Sequence, residues 1–152
     1  MVGNQVAGVK NILIATDGSE GMEGVYKLAF DMAKNLNAKL FAVYVVDISP
    51  FAGLPEDDVL VRAKAKLYES GWNLLRELKE RAKNVGLEIE ASVDEGIPAE
   101  RIVRIAKKLK IDMIVMGTTG KSGVDKILLG SVAETVIKNA PCPVLAVRKP
   151  TI

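Results

Sequence analysis

The chain has 152 residues, of which 49% are hydrophobic and 26% are charged, and this is typical of one globular domain with a substantial core. Its 21 basic and 19 acidic residues give a net charge of +2 without any Lys/Arg block, which argues against a dedicated nucleic-acid surface. No apolar run approaches the roughly 18 residues of a membrane-spanning helix. Residues 1–10 lack the hydrophobic core of a secretion signal. The absence of histidine excludes imidazole catalysis and histidine metal sites.

Five short apolar runs predict buried strands, and the amphipathic stretches between them predict helices. The predicted strands cover residues 9–16, 39–47, 87–93, 111–116 and 143–147. The predicted helices cover residues 20–37 and 58–84, a third segment that begins at Pro98, and residues 130–139. Gly86 is expected to end the second helix in a left-handed conformation, and the alternating third strand is expected near a sheet edge.

This strict alternation predicts an α/β fold: one domain over residues 1–152, with an open five-stranded parallel sheet and helices on both faces. Ligands of such sheets bind beyond the carboxyl ends of the strands, where the strand order reverses. Three loops belong to that edge, namely residues 17–19, 47–57 and 117–131. The middle loop carries Pro50, Gly53 and Pro55 and is expected to be irregular.

The most informative stretch is Met116-Gly117-Thr118-Thr119-Gly120-Lys121-Ser122-Gly123, which follows the fourth strand and leads to Gly130-Ser131 at the start of the last helix. Glycines let backbone N–H groups approach an anion closely, and a helix N-terminus adds unpaired N–H groups and partial positive charge. Phosphate binding is therefore one interpretation. A plain connection is the other, since Ser131 and Glu134 also match a capping box, which requires no ligand.

Two common phosphate-binding motifs do not fit. A Walker loop ending at Lys121-Ser122 would require a glycine at position 115, where the chain has valine. The first strand is not followed by the Gly-x-Gly-x-x-Gly of dinucleotide-binding folds.

The chain instead resembles the ATP-binding branch of the universal stress protein family, which is marked by Gly-x2-Gly-x9-Gly-(Ser/Thr). Gly117, Gly120 and Gly130-Ser131 match that spacing without a gap. Three further segments resemble the first strand and turn, the fourth strand, and the entry to the last strand of the family; they are residues 12–19, 112–117 and 140–145.

The resemblance implies the strand order 3-2-1-4-5 and a set of nucleotide contacts. Adenine would lie near Ala15, Thr16, Val45 and Met116, and ribose near Asp17 and Gly117. The triphosphate would lie against Gly120, Gly130, Ser131 and Val132, within a loop that also holds Thr118 and Lys121, and Mg²⁺ or Mn²⁺ would be bound through the phosphates. Alternatives remain for three residues. Lys121 and Lys126 could neutralise phosphate charge, but they are equally well interpreted as solvated loop lysines. Asp17 could cap the next helix instead of binding ribose.

Two functions follow. The first is a regulatory or signalling module that binds an adenine nucleotide and is recognised by an unidentified protein partner. The second is a slow ATPase or phosphotransferase, for which Asp125 is the other nearby carboxylate but no convincing base is present.

The C-terminal strand, Val144 to Val147, suggests a scaffold role, because a short uncharged edge pairs readily with a second copy. The resemblance also implies a homodimer through it. The single cysteine, Cys142, cannot form an internal disulfide, so a cytoplasmic location is expected. Cys142 precedes an apolar strand and is interpreted as a small hydrophobic residue in preference to a nucleophile.

Overall fold

The computed structural model describes residues 8–119 and 129–149, which form one parallel sheet with helices on both faces. The strands are β1 (Asn11–Thr16), β2 (Lys39–Asp47), β3 (Ile89–Gly96), β4 (Met113–Gly117) and β5 (Val144–Val147). The helices are α1 (Glu23–Leu36), α2 (Asp58–Asn84), α3 (Pro98–Lys108) and α4 (Ser131–Asn139). A short 3-10 turn, Ser49–Phe51, follows β2.

The strand order β3-β2-β1-β4-β5 confirms the predicted α/β fold. The chain moves outward from β1 to β3 and then returns to place β4 on the other side of β1, so the order reverses between β1 and β4. Thr16 pairs with Tyr44, and Gly117 pairs with Val147. The carboxyl ends of β1, β2 and β4 therefore meet at one edge of the sheet, at the position where parallel sheets bind ligands.

Alternate residues of the central strands face two separate apolar layers. In β1, Ile12 and Ile14 pack with α1 and α2, whereas Leu13 and Ala15 pack with α3 and α4. All four are at most 5% exposed. This two-sided burial explains why β1 is an unbroken apolar run in the sequence.

Strand β3, which lies at one edge of the sheet, begins later than predicted. Leu87 was expected in it, but its N–H donates to the Ala82 carbonyl at 2.8 Å in the turn that closes α2. Gly86 has φ +80° in that turn, which confirms its predicted role as a left-handed cap. At the other end β3 extends to Gly96, because it pairs along β2 as far as Asp47.

The first helix also begins later than predicted, at Glu23 instead of residue 20. Gly18 and Gly21 both have positive φ, and these conformations form a turn that a helix cannot include. Within the described residues, no helix has the length and apolar character needed to cross a membrane.

Candidate functional site

A cavity of about 480 Å³ lies at the sheet edge where the strand order reverses. It is bounded by the carboxyl ends of β1, β2 and β4, by the 3-10 turn after β2, and by the first residues of α3 and α4. This volume is in the range of small-molecule sites in proteins.

Every predicted site residue that the structure describes lines this cavity. These residues are Ala15, Thr16, Asp17, Val45, Met116, Gly117, Thr118, Gly130, Ser131 and Val132. The predictions for Gly120 and Lys121, and those for Asp125 and Lys126, lie outside the described residues. The fold thus brings together segments that are more than one hundred residues apart in the chain.

The turn after β1 presents Asp17. Its Oδ1 accepts the Ser19 N–H at 2.9 Å, and the Thr16 hydroxyl accepts the Gly18 N–H at 3.3 Å. The alternative that Asp17 caps the next helix is wrong: α1 has Met22 at its N-cap position and no side-chain cap. Asp17 is held at the cavity by a local turn that precedes the helix.

The side chain of Thr16 is engaged within the protein. The residue is 6% exposed, and its Oγ1 lies 2.7 Å from the Tyr26 hydroxyl. Burial raises the pKa of Tyr26, although the hydrogen bond with Thr16 opposes that increase. Tyr26 therefore stays protonated at neutral pH, and the pair fixes the end of β1 against α1.

Gly117, at the end of β4, allows a close approach of neighbouring chains. A Cβ atom built on it would lie 3.0 Å from Lys149 Cε and 3.4 Å from both Met22 Sδ and the Thr119 carbonyl oxygen. A methyl group at this position would press mainly on the flexible end of Lys149, because the other two distances are ordinary van der Waals contacts. The glycine of the motif thus lies in close contact with its neighbours.

Backbone hydrogen bonds join the two described ends of the loop between β4 and α4. The Thr118 N–H donates to the Val147 carbonyl at 3.0 Å, and the Gly130 N–H donates to the Thr118 carbonyl at 2.6 Å. These bonds bring the first turn of α4 to the carboxyl end of β4, where the sequence places phosphate binding.

The capping-box interpretation of α4 is wrong. Gly130 occupies the N-cap position, Ser131 is the first helical residue, and no side chain caps the helix. Glu134 pairs instead with Lys138, with 3.0 Å between Oε1 and Nζ. Ser131 is exposed at the cavity, and the first-turn N–H groups of a helix have no intrahelical acceptor. This arrangement favours an anion.

Much of the cavity wall is apolar, and sequence reasoning identified only part of it. Apolar residues that were not predicted as site residues also line the cavity, among them Pro50, Phe51, Leu67, Pro98 and Ile102. The only signal in the sequence was the irregular loop after β2, which holds the first two. Leu67 and Ile102 follow ordinary helical periodicity, and nothing in that pattern separates a cavity wall from a core position.

The described residues contain no group of three or more His, Cys, Asp or Glu side chains able to hold a metal ion. Asp17 and Asp47 are the carboxylates on the described wall of the cavity.

Comparisons with known proteins agree with this geometry. The family model described as the universal stress protein family matches residues 8–148. A universal stress protein of Methanocaldococcus jannaschii is 50% identical over 141 residues, which cover 93% of this chain and 83% of that protein. A putative universal stress protein of Staphylococcus aureus is 36% identical over 141 residues, covering 91% and 84% of the two chains.

Solved structures show the same similarity. A universal stress protein from Lactobacillus plantarum has a TM-score of 0.78 and 26% identity, covering 95% of this chain and 100% of that one. A universal stress protein determined in complex with cAMP has a TM-score of 0.71 and 29% identity, with coverage of 95% and 100%.

Proposed function

The chain belongs to the universal stress protein family, and from that premise we propose that it binds ATP and acts as a nucleotide-dependent regulatory or signalling module in the stress response. The observation that carries the proposal is the cavity at the strand-order reversal, whose wall includes both the first turn of α4 and a set of apolar side chains. A nucleotide has the matching polarity, with a charged phosphate end and a flat, weakly polar base.

Each part of the nucleotide has a proposed location. Ribose is assigned to Asp17 and Gly117, which both line the cavity. Phosphates are assigned to Gly130, Ser131 and Val132, where the helix start supplies N–H donors, together with Gly120 and Lys121. Mg²⁺ or Mn²⁺ is assigned to the phosphates. A relative that was solved with cAMP supports an adenine nucleotide in this family.

The base is assigned to the apolar part of the wall. Ala15, Val45 and Met116 are at most 8% exposed and line the cavity. Phe51 and Leu67 stand on separate elements along the same cavity and provide apolar surface for a base. The backbone of Val45, near the end of β2, is assigned to the polar edge of the base.

Two further properties belong to the proposal. The first is a homodimer through β5, whose four residues are half-buried and which forms the end of the sheet beyond β4. The second is a cytoplasmic location, since the chain has a single cysteine and cannot form an internal disulfide. The protein partner that would recognise the nucleotide state is unidentified.

The test is direct. The purified protein is denatured, and any released nucleotide is identified by chromatography; the ATP affinity of the emptied protein is then measured by calorimetry. Gly130→Phe places a bulky side chain at the phosphate end and is expected to weaken ATP binding by on the order of 100-fold, about 2.7 kcal/mol. The backbone at Gly130 (φ −73°, ψ 163°) accepts any residue, so folding should persist.

Gly24→Phe is the matched control, because Gly24 is exposed and no atom lies within 4 Å of a Cβ built there. Unchanged ATP affinity in folded Gly130→Phe would contradict the site assignment. Phosphate release is followed over hours in parallel, and multiple turnovers by the protein alone would favour the slow ATPase over the regulatory module.

A further inference from the structure

Lys149 connects the C-terminal end of β5 to the turn after β1. It lies two residues beyond Val147, which pairs with Gly117 of β4. Its stem crosses Gly117, since Lys149 Cε would lie 3.0 Å from a Cβ built on that glycine. Its Nζ donates a hydrogen bond to Ser19 Oγ. The side chain thus spans from the end of the sheet across β4 to the loop beyond β1.

The hydrogen bonds continue from Ser19 to the cavity. The Ser19 N–H donates to Asp17 Oδ1 at 2.9 Å. Ser19 therefore accepts a hydrogen bond from Lys149 with its hydroxyl and donates one to Asp17 with its backbone amide. Lys149 does not line the cavity, whereas Asp17 does. Its stem borders the cavity residue Gly117, and its ammonium is connected to the cavity by hydrogen bonds through the turn.

The turn needs such a tether for a physical reason. Between Asp17 and the start of α1 the backbone includes Gly18 and Gly21, both with positive φ. Glycine has more accessible backbone conformations than any other residue, so this segment loses much conformational entropy when it becomes fixed. A charge-assisted hydrogen bond from a distant element restricts the turn before a ligand arrives, and preorganisation of this kind increases affinity.

We propose that Lys149 is a positioning residue of the nucleotide site: through Ser19 it fixes the turn that carries Asp17, and it thereby strengthens recognition of the ribose hydroxyls. This inference rests on the proposed function, because it assumes that Asp17 faces the ribose. It also makes the segment after β5 part of the site, although no residue of that segment belongs to the glycine motif.

The test compares ATP with 2′,3′-dideoxyATP, which lacks both ribose hydroxyls. Lys149→Met keeps the stem over Gly117 and removes the ammonium. It is expected to weaken ATP binding by about fivefold or more and dideoxyATP binding by less than about twofold, because the ligand group that Asp17 would hold is absent. Ser19→Ala removes the acceptor of the same bond and is expected to give the same selective loss.

Lys138→Met is the matched control. It removes an exposed lysine that pairs with Glu134 on α4, and it should leave both affinities unchanged. Thermal unfolding of all variants identifies any loss of folding, and because both ligands are measured on the same folded fraction, their ratio remains interpretable. Faster amide hydrogen exchange at Ser19 in Lys149→Met is a second expected result.

The possible results distinguish a failure of the proposed ATP binding from a failure of the role proposed for Lys149. If the wild-type protein binds no ATP, the proposed function fails, and this inference fails with it. If the wild type binds ATP but Lys149→Met loses ATP and dideoxyATP equally, Lys149 acts on the phosphates or on the fold as a whole, and the inference alone is overturned. Unchanged affinity for both ligands overturns it as well.

Discussion

At the scale of single residues, neighbours in the sequence have different roles in the site. Thr16 uses its hydroxyl within the protein, at 2.7 Å from the Tyr26 hydroxyl, and pairs with Tyr44 of β2 in the sheet. Asp17 places a carboxylate at the cavity and accepts the Ser19 N–H with Oδ1. The sequence predicted both positions as candidates, but the contacts that each side chain makes depend on which atoms the fold brings within hydrogen-bonding distance.

Tyr68 provides a pH-dependent prediction. Partial burial and the hydrogen bond that its hydroxyl donates to Glu95, at 2.7 Å, raise the pKa of Tyr68 to about 12. In the unfolded chain the group ionises near pH 10. Because the pKa of Tyr68 is higher in the folded than in the unfolded chain, its contribution to stability is fully present below pH 10. This contribution is lost as the pH rises from about 10 to about 12.

Urea unfolding at pH 9, 10 and 11 tests this prediction. The free energy of unfolding of the wild type is expected to fall more steeply with pH than that of Tyr68→Phe, which has no group to ionise. Parallel pH dependences for the two proteins would show that Tyr68 does not contribute.

Cys142 is predicted to be unreactive. Burial raises the pKa of its thiol, and the nearby Asp112 carboxylate raises it further, although a backbone hydrogen bond from Ile114 opposes the increase. The thiolate is the reactive form, so alkylation by iodoacetamide at pH 7.5 should be roughly tenfold or more slower in the folded protein than in urea. Equal rates in the two states would contradict this prediction and make Cys142 a candidate nucleophile.

At the scale of elements, the packing of α2 on β2 depends on one small residue. A Cβ atom built on Gly71 of α2 would lie 2.6 Å from Tyr44 Cδ1, well inside van der Waals contact. Tyr44 belongs to β2, is 4% exposed and also lines the cavity. Its contact with Gly71 therefore links α2, β2 and the candidate site. The fit between these two elements therefore affects the shape of the site.

Gly71→Ala is expected to lower the free energy of unfolding by about 1–3 kcal/mol, because the added methyl group overpacks this contact. ATP affinity should fall too, since Tyr44 must move. Gly24→Ala in α1 is the control: it meets no atom within 4 Å and should raise stability slightly, by up to about 0.5–1 kcal/mol. Chemical denaturation compares the two variants, and a neutral Gly71→Ala would show that Tyr44 can adjust without cost.

At the scale of the whole molecule, β5 is predicted to pair with a second copy of the chain. The Pro143 and Val147 carbonyls accept N–H groups of Ile114 and Thr118, so strand alternation turns the N–H of Ala146 away from β4. Ala146→Pro removes that outward donor and keeps the bonds to β4. We expect a dimeric mass for the wild type at micromolar concentration and a monomeric mass for the folded variant, measured by analytical ultracentrifugation. A monomeric wild type would contradict the predicted dimer.

Much of the fold could be predicted from the sequence because its signals are local. Apolar runs mark β1, β2 and β4 as strands buried on both faces, and helical periodicity located α2 at its observed bounds, Asp58–Asn84. The errors lie at element ends, where a competing local bond decides: Leu87 belongs to the turn that closes α2, and Ser131 begins α4 without capping it. Such choices depend on hydrogen bonds that differ little in free energy.

The α/β architecture and the glycine motif could be recognised in the sequence alone, because periodicity and glycine spacing are properties of short segments. The tertiary structure decided which distant segments meet there. The apolar wall formed by Phe51 and Leu67, the packing of Gly71 on Tyr44, and the link from Lys149 to Ser19 join residues whose local patterns are ordinary. These contacts arise from the order and register of the strands, and no short stretch of the chain encodes them alone.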